Sequence, residues 1–95
     1  MPVLQINYDL QKHKDYPVLI KAIKDLGPWC HALESCWLVY TSLSAIQVRD
    51  RLLRAIDNDD KLLVTTVSVF ESAGWQNLSA DRSQWLKKYL AAAYA

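Results

Sequence analysis

The spacing of hydrophobic and polar positions along this chain switches between a period of two and a period near 3.6, so it lays out strands and helices in turn. Over residues 3–8 the two kinds alternate, with Leu4, Ile6 and Tyr8 on one side and Val3, Gln5 and Asn7 on the other. That predicts a first strand with one face against helices and a second, mixed face suited to a partner or to shallow burial. Leu19, Ala22, Ile23 and Leu26 then fall at the spacing of one helix face. Asp15 is the predicted N-cap and Pro17 suits the first turn. Gly27-Pro28 stops the helix, with the glycine in the left-handed position.

Trp29 to Thr41 is rich in β-prone residues and too long for one short strand. It predicts a hairpin of 29–33 and 36–41 around Glu34-Ser35, with a single bent and bulged strand as the competing arrangement. Ser44 and Gln47 form a capping box, and Leu43 with Val48 forms a hydrophobic staple. They open a second helix that turns Ala45, Val48, Leu52 and Ile56 inward. Arg49, Asp50, Arg51 and Arg54 lie outside, with Asp50 and Arg54 spaced for an ion pair. Asp57-Asn58-Asp59-Asp60 reads as a turn, and 61–67 as a strand that runs on toward Phe70. Ser79 caps a last helix with Trp85, Leu86, Tyr89, Leu90 and Ala93 on one face and Lys87 and Lys88 late in its course.

The order is therefore α+β, a ferredoxin-like βαββαβ arrangement with a C-terminal strand extension and helix. Ninety-five residues make a single domain, with a core over 3–67 and an appendage over 68–95. Two helices cover one face of such a sheet. The other face must be covered by the appendage or by a second copy, and a homodimer is the expected answer. The composition points the same way, because 52% of residues are hydrophobic and four tryptophans and five tyrosines are among them.

Net charge is +1, which excludes a general basic field that gathers nucleic acid by charge alone. Cys30 and Cys36 lack a C-x-x-C spacing and read as reduced core thiols. The chain opens Met1-Pro2 directly before the first strand and has no long apolar run, so no membrane partner and a cytoplasmic location are expected.

The stretch ending Tyr8-Asp9, Gly27, the Trp29, His31, Leu33-Glu34 and Trp37-Leu38-Val39 pattern, and Asp59-Asp60-Lys61-Leu62-Leu63-Val64 together resemble the SinR-like proteins. That group is similar in turn to the small dimeric subunit of the CRISPR adaptation complex and to the VapD toxins. The resemblance spans roughly residues 3–67. It implies a homodimer with facing sheets, a C-terminal strand lent to the partner, and a metal held by symmetry-related carboxylates. Carried onto this chain, that carboxylate is Asp9. Two departures weigh against nuclease activity more than against the fold. Lys12, His13 and Lys14 stand where the CRISPR subunits usually carry arginines, and Ser35-Cys36-Trp37 stands where they tend to carry Ser-Val-Phe.

Three functions follow as expectations. The first is an interaction protein of the SinR-like group without catalysis. The second is a metal-dependent nuclease in which paired Asp9 residues hold Mg²⁺ and activate water, with His13 as a general acid or base. Its bland counterpart is an Asp9 that binds nearby backbone N–H groups. The third is a nucleic-acid-binding module that grips phosphates through Arg49, Arg54 and Lys61. His31 reads as a hydrogen-bonded structural residue and the acidic turn as solvated. No P-loop, dinucleotide fingerprint, zinc spacing or nucleophile elbow is present.

Overall fold

The computed structural model describes residues 2–10, 16–67 and 73–92. Four strands, β1 (Val3–Asp9), β2 (Trp29–Leu33), β3 (Cys36–Tyr40) and β4 (Lys61–Thr66), form one antiparallel sheet in the order β2-β3-β1-β4. Helix α1 (Tyr16–Lys24) lies between β1 and β2 in sequence, and α2 (Ala45–Leu52) between β3 and β4. Each of these connections therefore skips a strand, so β1 and β3 become the two central strands. A third helix, α3 (Ala80–Ala92), follows the sheet. The protein is α+β, in the order β-α-β-β-α-β followed by α3; the expected strand extension beyond residue 67 falls outside the described residues.

Alternation along β1 sets up two layers. Leu4, Ile6 and Tyr8 pack with Leu19 and Ile23 of α1, Val48 and Leu52 of α2, and Trp37 and Val39 of β3. Val3 faces the other way and joins Cys30, Leu38, Leu86 and Leu90 beneath α3. The second sheet face is thus covered by a helix of the same chain over β2, β3 and the start of β1. Tyr40 and Tyr89 meet across this layer at 5.1 Å between ring centroids.

Local chemistry explains the boundaries. Ser44 Oγ accepts from Gln47 N at 3.1 Å while Gln47 Oε1 accepts from Ser44 N at 2.9 Å, which is the predicted capping box. Ser79 Oγ accepts from Arg82 N at 3.2 Å and opens α3. The hairpin forms as predicted, with a register irregularity between His31 and Leu33 of β2. Asp15 and Phe70, the expected cap and strand end, lie outside the described residues, as does Ala93.

Three local expectations are corrected. Gly27 has φ +153°, a conformation glycine favours, but not the compact left-handed cap. Its reason is closeness: a Cβ there would run into Tyr40 O of the neighbouring strand. Leu26 packs against the core from beyond the end of α1, which stops at Lys24. Asp50 does not reach Arg54. It binds Arg49 at 2.8 Å, because α2 tightens into a 3₁₀ turn over Leu53–Ala55 and moves Arg54 off the α-helical spacing.

Candidate functional site

Asp9 ends the central strand β1 and is exposed. Its cross-strand partner in β4 is Lys61, and Asn7 stands opposite Leu63. Because side chains alternate, these four residues and Thr65 share the sheet face turned away from α1 and α2. Asn7, Asp9, Lys61 and Leu63 line a shallow hollow of about 240 Å³ there. Helix α3 packs on β2, and among the described residues Asp9, Lys61, Leu63 and Thr65 stay exposed on this face. Leu63 is 59% exposed in the middle of it, a large apolar side chain between charged and polar neighbours.

A magnesium ion takes hard oxygen ligands in an octahedron. Among the described residues one carboxylate, that of Asp9, lines this hollow, and its cross-strand partner Lys61 adds a like charge against any cation there. The described residues of one copy do not fit the ion. His13, the expected proton carrier, lies outside the described residues together with Lys12 and Lys14.

A second constellation sits in the helical layer near the hairpin turn. Trp37 is 2% exposed, and its Nε1–H donates to Tyr8 Oη at 3.2 Å. Tyr8 Oη donates in turn to Glu34 O at 3.4 Å. His31 Nε2 lies 2.9 Å from the same carbonyl, which can only accept, so Nε2 carries the proton. The imidazole stacks on the Trp37 indole, with centroids 4.1 Å apart and planes within 9°. Trp29 packs against Trp37 at 5.3 Å, and Lys24 Nζ rests over the Trp29 ring at 4.6 Å. These contacts anchor the turn to the sheet. His31 is hydrogen-bonded and half-buried, as its sequence position suggested.

The three cations expected to grip phosphates are not gathered. Arg49 holds Asp50 through both Nε and Nη2. Lys61 lines the Asp9 hollow. Arg54 lines a different hollow, between α1 and α2, and its companion there is Arg51. Arg51 was weighed with these cations from the sequence but does not share a helix face with Arg49, and Leu63 was not singled out. The three-residue spacing of Arg51 and Arg54 marks one helix side. The alternation of Lys61, Leu63 and Thr65 against Leu62 and Val64 marks Leu63 as outward.

In the acidic turn, Asp60 Oδ2 accepts from Asp57 N at 2.8 Å, and Asp60 N donates to Asp57 O at 3.1 Å. Carboxylates of Asp57, Asp59 and Asp60 converge within 4.8 Å of one another. The hydrogen bonds give this turn a structural role.

Cys30 and Cys36 are free, buried thiols. Burial pushes both above the ordinary value of 9.0, with Arg82 pulling Cys30 part of the way back and a Gln5 hydrogen bond doing so for Cys36. Little thiolate is present near neutral pH, and neither is set up as a nucleophile. A further cavity of about 400 Å³ lies between the sheet and α3, with Gln5, Cys36, Leu38, Trp75, Leu86 and Leu90 among its walls. Trp75 Nε1–H donates to Ser83 Oγ at 3.0 Å and fixes one wall to α3. Among the described residues no helix is long and apolar enough to cross a membrane. No family model, curated protein or solved structure matches this chain.

Proposed function

We propose that this chain is a non-catalytic interaction domain on the ferredoxin-like plan, resembling the SinR-like group, that pairs with a second copy of itself through β4. The observation that carries the proposal is the exposed Leu63 on a bordering strand, in the strip of sheet that α3 leaves open. A bordering strand presents unpaired backbone donors and acceptors, and an apolar side chain beside them favours pairing. Lys61 and Thr65 on the same face temper this tendency in the monomer.

The strip is also self-complementary. Asp9 and Lys61 carry opposite charges beside the central Leu63. A two-fold operation that sets Leu63 against Leu63 in antiparallel β4 pairing places the Lys61 of one copy opposite the Thr65 of the other, so no like charges meet. Such an interface is modest in size, which fits a reversible dimer.

Sedimentation velocity tests this. Wild type is expected to sediment as a dimer at ~100 µM, within the range of small reversible interfaces. Leu63→Lys sets a lysine against the same lysine of the symmetry mate and is expected to sediment as a monomer with an unchanged circular-dichroism spectrum. A wild type that stays monomeric at that concentration ends the proposal.

A further inference from the structure

On the opposite side of the sheet from Leu63, Arg51 and Arg54 share one hollow. They stand three residues apart where α2 passes into the 3₁₀ turn, so they project from one side of the element. Ala22, Asp25 and Leu26 form the facing wall of this open hollow of about 530 Å³.

The other charges of the helical layer have partners. Asp25 takes Lys21 at 3.0 Å. Asp50 takes Arg49 at 2.8 Å. Lys24 lies over the Trp29 ring. Among the described residues, Arg51 and Arg54 have no carboxylate at ion-pair distance. Residues 16–26 and 45–55 carry five cations against two carboxylates, a surplus of three, whereas the whole chain is at +1. The rest of the molecule therefore carries a net charge of −2, and the positive field is concentrated on this layer.

We propose that Arg51 and Arg54 form a cleft that binds the phosphate group of a phosphate-bearing ligand. Each guanidinium offers a planar fork of donors that matches phosphate oxygens. Two forks one turn apart bracket one phosphate or two linked ones. Ala22 and Leu26 give the organic part of the ligand an apolar wall, and Lys21 offsets the Asp25 carboxylate at the rim. The phosphate belongs either to a small phosphate ester or to the backbone of a single-stranded nucleic acid. This inference does not rest on self-pairing, because its residues lie in the other layer.

Nitrogen-15 NMR of the full chain tests it, reading the arginine Nε–Hε signals during titration at constant ionic strength. The probes are inorganic pyrophosphate and a short oligothymidylate. The expected result is a saturable shift at Arg51 and Arg54 with at least one probe. Arg51→Gln with Arg54→Gln should weaken that binding by about tenfold or more, as expected for loss of charge-assisted hydrogen bonds. Lys87→Gln on α3, which removes one charge elsewhere, should change it less than about twofold. Saturation by pyrophosphate alone assigns a small phosphate ester, and saturation by the oligonucleotide assigns a strand. No saturation with either probe, or equal weakening by Lys87→Gln and the arginine pair, overturns the cleft. Both arginines are exposed, so the amide spectra of the variants should report an unchanged fold.

Discussion

Tyr8 places a hydroxyl inside an otherwise apolar layer, and its value there depends on Trp37. The indole N–H is buried and its acceptor is Tyr8 Oη. Tyr8→Phe removes that acceptor without changing the ring packing, and it leaves a buried donor unsatisfied. The expected loss is about 1–3 kcal/mol, read as a lower urea midpoint at constant slope. A loss below about 0.5 kcal/mol would show that the hydrogen bond contributes little. Neither partner announces this bond in the sequence, since 29 positions separate them. Gly27 shows a different limit. A stop was legible from Gly-Pro, but the need for glycine comes from Tyr40 of the adjacent strand, a neighbour known only after folding. Asp50 was assigned to Arg54 by counting along an α-helix, and that count fails where the helix tightens.

At the scale of elements, the signals that proved legible are those whose physics is complete within a few residues. The Ser44–Gln47 box is one, because both hydrogen bonds form inside a single turn. Ser44→Ala should cost about 1 kcal/mol in thermal or urea unfolding, with the first turn of α2 fraying first in hydrogen exchange. An unchanged stability would mean that packing of Val48 and Leu52 alone holds the helix start. The hairpin turn was placed at Glu34-Ser35 without the usual Asn-Gly chemistry. Its stability comes from Glu34 O, which receives both Tyr8 Oη–H and His31 Nε2–H. The turn is therefore held by side chains from two strands rather than by its own dihedral preferences.

At the scale of the molecule, α3 decides how much sheet remains open. Leu86 and Leu90 are nearly sealed against Val3, Cys30 and Leu38. Leu86→Ala should cost about 2–5 kcal/mol, the usual range for truncating a buried leucine. It should also raise binding of a hydrophobic dye as the roof loosens. A loss well under 1 kcal/mol would indicate that α3 contributes little to holding the sheet. The covered part takes in β2, β3 and Val3 at the start of β1, and the open strip runs over the Asn7–Asp9 end of β1 and over β4. That division puts the candidate pairing strip on one layer and the two-arginine hollow on the other.

The order of strands and helices, the inward stripes, the capping box and the reduced thiols were determined by the sequence itself. Each depends on residues close enough in the chain for period and local hydrogen bonding to reveal them. Tertiary structure alone decided that α3 covers part of the second sheet face, that Leu63 stays exposed, and that Arg54 joins Arg51 rather than Arg49 or Lys61. Those outcomes depend on which distant surfaces meet. Hydrophobic burial has no direction of its own, so an apolar stripe states that it must be covered without naming what will cover it.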